Sequence, residues 1–242
     1  WVEDRPGKPT AYGEWARLLS AAGRSEEAAE VLVAGREATG NPAAFAQELS
    51  ALRASAGDYE GAAEEWTTLL GWGDSGVSAV VDRIESPEVD SEAAVRALKE
   101  VIADREYPIH VRRGALSLAL QLDDRQWSRE IVEQIVESVP AETRRLVLRE
   151  FYVEAHNRSW SPDASWAASR LEEDSDSVDE RRHWRAMRAD VDYLSGNSVE
   201  AEQTFSALAR SAAPGTETHR RSVRRLFSIR AAEGSPEAEL LL

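Results

Sequence analysis

Seven positions of this chain recur at a fixed distance of 34 residues. Leu18, Ala22, Gly23, Ala28, Ala29, Glu30 and Leu32 are followed by Leu52, Ala56, Gly57, Ala62, Ala63, Glu64 and Trp66, and six of the seven pairs are identical. A period of this length fits one helix, a turn and a second helix, a unit too small to bury its own apolar face, so each unit must stack on the next. The recurring residues have physical reasons. Gly23 and Gly57 stand where a helix ends in a left-handed cap, which a β-carbon would penalise. Ala28 and Ala62 sit where two helices cross closely, and Leu32 and Trp66 fill the groove left over.

The rest of the chain follows the helical period, and no stretch alternates apolar and polar residues as a strand would. Ile131, Val132, Ile135, Val136 and Val139 form one apolar stripe; Val199, Phe205, Leu208 and Ala209 form another. Gly and Pro breakers place helices over 10–22, 25–39, 43–56, 59–70, 77–85, 90–104, 109–122, 125–138, 142–156, 163–173, 179–195, 198–211 and 216–232. Helices this short gain most of their stability from packing on neighbours. The expected fold class is all-α, with residues 71–76 as the best place for a bend.

The segment Gly57-Asp58-Tyr59-Glu60-Gly61-Ala62-Ala63 with Trp66 resembles the turn and second-helix start of the tetratricopeptide repeat family, as does Gly23-Arg24-Ser25-Glu26-Glu27-Ala28. Gly196-Asn197-Ser198-Val199-Glu200-Ala201 with Phe205 repeats the pattern, and Gly234-Ser235-Pro236-Glu237-Ala238 begins it again. The resemblance is clear over about residues 10–70 and 180–242 and degenerate between, where the Gly and Ala landmarks are missing around 77–104 and 141–173. It implies a right-handed superhelical solenoid of six to seven antiparallel helix pairs, with tetratricopeptide-like repeats over 1–70, degenerate or HEAT-like pairs over 71–176 and tetratricopeptide-like repeats over 177–242. The match at Gly234 makes the chain expected to stop inside a repeat and to belong to a longer protein.

Composition narrows the chemistry. Acidic residues number 44 against 29 basic, a net charge of −15, which disfavours nucleic acid as the main partner because phosphate binding needs a positive field. No apolar run is long enough to insert into a membrane. With no cysteine, thiol catalysis and thiolate metal sites are excluded. Cysteine absence suits export but does not establish it; the location is left open, with a bacterial periplasm or cell envelope slightly favoured over the cytoplasm. The four histidines show no metal-ligand spacing, and no nucleophile, base and orienting group come together in a motif. The Gly71–Gly76 string matches GxGxxG, but it follows a helical segment rather than a strand. No catalysis, metal or cofactor is expected. Acid pairs such as Asp123-Asp124 and Glu172-Glu173 read as solvated surface.

Eight tryptophans are many for this length. Trp15, Trp66 and Trp127 read as packing residues, whereas Trp72 and Trp160, in turns, read as exposed contacts. Arginines cluster in the first helix of successive pairs, several in the first turn, where the helix dipole disfavours them. The family resemblance implies that first helices line an inner, concave surface that binds an extended peptide, sometimes by its carboxylate. It places His183, Asp190 and Tyr193 from one first helix and Arg221 and Arg224 from the next on that surface, with Arg113 and Arg144 from earlier ones. Guanidinium forks suit carboxylates. The competing reading pairs these arginines with rim acids such as Asp179, Glu180 and Glu217. The expected function is a non-catalytic scaffold holding a protein or peptide segment that is acidic or ends in a carboxylate. The alternative is the helical arm of a larger cell-envelope enzyme whose catalytic domain lies outside this chain.

Overall fold

The computed structural model describes residues 8–232, which form thirteen helices and no strand. The helices are α1(Pro9–Ala21), α2(Ser25–Thr39), α3(Ala46–Ser55), α4(Tyr59–Leu70), α5(Asp74–Ile84), α6(Ser91–Asp104), α7(Ile109–Gln121), α8(Arg125–Ser138), α9(Ala141–Asn157), α10(Ser161–Asp174), α11(Val178–Leu194), α12(Ser198–Ser211) and α13(Glu217–Ala232). Every helix read from the breakers is present, and no boundary moves by more than three residues. The two largest shifts have local causes. Phe45 takes a left-handed φ of 62° and delays α3. α5 starts early, after the left-handed Gly73 (φ 75°), and Gly76 inside it serves close packing and not a break: a β-carbon there would lie 1.8 Å from the Leu69 carbonyl oxygen. The match beginning at Gly234 lies outside the described residues.

One turn recurs through the chain and explains why the repeat looks degenerate in its middle. At Gly23, Gly57 and Gly196 the backbone is left-handed, and the next residue's N–H donates to the carbonyl five residues back at 2.9 Å. Asp123 (φ 54°) and Ser159 (φ 60°) make the same turn without glycine; there Asp124 donates to Ala119 and Trp160 to Ala155, at 2.9 and 2.8 Å. The turn is kept while the residue that advertises it is lost. Five residues on, Ala28, Ala62, Ser128, Ala164 and Ala201 are each wholly buried. Four further on, Leu32, Trp66, Val132, Ala168 and Phe205 are buried too. Ala94 and Leu98 occupy the same two places in α6, after a longer turn capped by Asp90, whose side chain accepts from the Ala93 N–H. Six successive helix pairs therefore share one packing rule.

The contacts divide the chain into two units, residues 1–131 and 132–242, with α8 crossing the division. In the first, α1 to α4 pack in chain order, and α4 is also covered by α5, α6 and α7. Gly114 brings α7 so close to α4 that a β-carbon would lie 2.1 Å from the Leu70 carbonyl oxygen. A buried ion pair ties α4 to α2: Arg36 grips Glu65, itself 4% exposed, through Nη1 at 3.0 Å and Nη2 at 2.6 Å. In the second unit α9 through α13 pack in chain order, and α11 also touches α13. Its core holds Ala186, Ala189, Ala201, Phe205, Leu208, Leu226 and Ile229.

Three sequence expectations are corrected. Trp15 is 44% exposed, because α1 meets the core through Tyr12, Ala16 and Leu19 and Trp15 lies off that stripe. Val199 is exposed at the start of α12, on the side away from Ala201, Phe205 and Leu208. Trp160 is buried: the left-handed turn at Ser159 folds it inward, and the Arg158 guanidinium lies 5.4 Å over its ring. Trp66 and Trp127 are buried and Trp72 is half exposed. Among the described residues no helix is long and apolar enough to cross a membrane.

Ala62→Leu should destabilise the first unit by ~1–3 kcal/mol, the usual cost of forcing extra methylenes into a filled site, because Ala62 has no exposed surface. Thermal unfolding followed by circular dichroism checks this, and an unchanged midpoint would contradict the close-crossing assignment.

Candidate interaction face

Several of the clustered arginines are compensated by acids from outside their own helix. Arg145 Nη1 on α9 donates to Asp176 at 2.6 Å, and Arg149 Nη2 to Glu180 on α11 at 2.6 Å. Arg144 Nε donates to Asp174, at the end of α10, at 2.5 Å. One pair of helices on, Asp190 of α11 accepts from two arginines of α13: Arg221 Nη1 at 2.7 Å and Arg225 Nε at 2.5 Å. Arg145 to Asp176, Arg149 to Glu180 and Asp190 to Arg221 are each 31 residues apart. Successive first helices are keyed together by charge at nearly the repeat length.

The acid pairs read as solvated surface are partly drawn into this network. Glu172, with a side chain 12% exposed, takes Arg185 at 2.5 Å and Arg188 at 3.5 Å. Asp124 takes Lys99 at 2.5 Å and caps α8 through the Trp127 N–H. Burial of Glu172 is what the sequence expectation missed: its partners are arginines of α11, distant in the chain.

Asp190 is only 4% exposed, and both of its oxygens are engaged, so it organises the face rather than presenting itself. Around it stand Arg221, which also donates from Nη1 to Met187 Sδ, and Arg225, whose guanidinium carbon lies 5.5 Å from the centre of the Tyr193 ring. Arg224 stands at the same place but stays solvated: its side chain is 72% exposed, and among the described residues its side-chain hydrogen-bond acceptor is Glu217, at 3.4 Å from Nη2. Asp190, Arg221, Arg224, Arg225 and Ser228 line a hollow of about 370 Å³.

Of the residues expected on the binding surface, Asp190, Tyr193, Arg221 and Arg224 thus come together. Arg144 is held by Asp174. Arg113 is exposed on α7, in the first unit. Arg225 was missed, yet its spacing betrays it: it follows Arg221 by four residues and so shares that face of α13. Tyr152 was also missed. It is buried on α9, its hydroxyl without a hydrogen-bond partner among the described residues, its ring edge-on to Trp184 at 5.5 Å. Burial, reinforced by the Asp190 charge, pushes its phenol up to about 12.

His183 packs edge-on to Trp184, with ring centres 5.1 Å apart. Burial, with Arg221 and Arg149 adding to it, lowers its pKa below 6.5, against the opposing pull of Glu180 and Glu217. The unfolded chain therefore takes up this proton first as pH falls. Stability contributed by neutral His183 is complete above about pH 6.5 and is lost as pH drops through that value toward the lower folded one. The thermal midpoint of the parent should fall more steeply than that of His183→Gln between about pH 7 and 5.5; parallel profiles would contradict the burial of the neutral ring.

Among the described residues no cluster of His, Asp and Glu is placed to hold a metal ion. No protein-family model matches the sequence, and no curated protein matches it. Among solved structures the chain is similar to a tetratricopeptide repeat protein from Parabacteroides merdae ATCC 43184, at 12% identity and a TM-score of 0.30, over 91% of this chain and 88% of that one.

Proposed function

We propose that this chain is a non-catalytic interaction scaffold that holds an acidic segment of a protein partner against α11 and α13. The observation that carries the reading is Arg224: a largely solvated guanidinium beside a cluster in which Asp190 is already held by Arg221 and Arg225. The tetratricopeptide-like turns and the shared small-then-large packing positions support it, since helix-pair repeats of that kind present their first helices to a partner. Arg221 and Arg225 serve mainly to fix Asp190, and Arg224 is left to meet the ligand.

Arg224→Glu therefore separates binding from folding. Exposed pairs contribute only about 0–1 kcal/mol, so circular dichroism and the thermal midpoint should stay close to the parent. Partners captured from an extract of the source organism should be lost with the variant, and their capture by the parent should weaken as salt rises. Recovery of the same partners by both proteins would refute the assignment, and the exposed Trp72 would become the next candidate.

A further inference from the structure

We infer that the hollow between α11 and α13 recognises a phosphoryl dianion carried by a segment of the partner, rather than a carboxylate. This rests on the scaffold reading for the ligand being a protein segment. The starting point is charge. Three arginines, Arg221, Arg224 and Arg225, and one acid, Asp190, line the hollow. Arginine stays protonated in proteins, so the lining carries two unmatched positive charges inside an acidic chain. One carboxylate would leave a full charge uncompensated, whereas a phosphomonoester brings about −1.5 to −2 near neutral pH.

Donor geometry points the same way. Asp190 already fills the place a carboxylate would take: Arg221 reaches it through Nη1 and Arg225 through Nε. Among the described residues that leaves Nε and Nη2 of Arg221, both terminal nitrogens of Arg225 and most of the Arg224 fork without a protein acceptor. Glu217, the acid against Arg224 among the described residues, also accepts from Arg220 at 3.1 Å, so it keeps a partner if Arg224 turns to a ligand. The Ser228 hydroxyl on the same wall already donates its one proton to the Arg224 carbonyl, at 3.0 Å, so the donors left for a ligand are the guanidinium forks. Three charged forks around about 370 Å³ suit a tetrahedral group with three acceptor oxygens.

The test uses the whole chain and two short Gly/Ser peptides. One carries a single phosphoserine and an amidated end; the other is unphosphorylated with a free terminal carboxylate. Calorimetric titration at fixed ionic strength should show saturable binding of the phosphopeptide at least about tenfold tighter than the carboxylate peptide, a gap of roughly 1.4 kcal/mol. Arg224→Gln and, independently, Ser228→Asp, which puts a second carboxylate into the hollow, should each weaken the phosphopeptide by a similar factor with unchanged circular dichroism. Inorganic phosphate should shift the Arg224 and Arg225 Nε–H resonances, and acetate should not. Equal affinity for the two peptides would overturn the dianion preference while leaving the scaffold reading intact. Phosphopeptide binding unaffected by both variants, or no saturable binding at all, would overturn the site. Partner capture that depends on Arg224 without any phosphate response would separate this failure from a failure of the scaffold.

Discussion

Asp190→Asn should destabilise the second unit by about 3 kcal/mol, the lower part of the range for breaking a buried ion pair from one side. The carboxylate is nearly inaccessible, and its removal leaves Arg221 and Arg225 facing one another without the charge between them. The cost does not reach the top of the range because both guanidinium side chains stay about a third exposed, at 31% and 34%, and water compensates them in part. Asparagine keeps the volume, so the loss reports charge and not a cavity. Thermal or urea unfolding checks it; a change below about 1 kcal/mol, the size of an exposed pair, would mean that the two arginines are held by packing alone.

Trp66→Ala should have a comparable or larger effect on the first unit, ~3–5 kcal/mol, as for other large aromatic residues deleted from cores. Trp66 has no exposed surface in α4, where helices α3, α5, α6 and α7 all meet α4. The indole N–H has no hydrogen-bond partner among the described residues, so what the side chain contributes is burial and contact. Trp66→Leu, which installs the residue found at the equivalent place in α2, should therefore recover most of the loss. If the leucine variant were as unstable as the alanine one, the two positions would not be equivalent in packing.

The helices were legible because their ends are marked by residues with few other uses. Gly, Pro and capping Asp or Ser interrupt the 3.6-residue period, and the structure moved no boundary by more than a turn. The repeat was legible only where glycine marks the left-handed cap. At Asp123 and Ser159 the same φ is held by residues that do not announce it, so the middle pairs looked degenerate in sequence while obeying the same packing rule. Side-chain burial was legible on strong stripes and failed one position off them, as at Trp15 and Val199.

The candidate face was legible by residue type and not by role. Clustered arginines at unfavourable helix positions signalled that something must compensate them. What compensates them is set by tertiary distance: acids 30 to 35 residues away, such as Asp174, Asp176 and Asp190. A local reading finds the i,i+3 pairs at the rim, such as Arg182 with Asp179 at 3.3 Å and Arg220 with Glu217 at 3.1 Å, and both are present. It cannot tell that Arg221 is committed to a buried partner while Arg224, three residues on, is nearly free.

The claim that charge keys successive first helices together is tested most directly by a double-mutant cycle on Asp190 and Arg225, with Asp190→Asn, Arg225→Gln and the double variant unfolded in urea. The two side chains share a hydrogen bond of 2.5 Å, so their effects should not add: a coupling energy of about 1–3 kcal/mol is expected for neighbours in one ion network. Additive losses, with a coupling within about 0.3–0.5 kcal/mol of zero, would show that α11 and α13 are held by their apolar core alone and that the arginines of α13 are not structural.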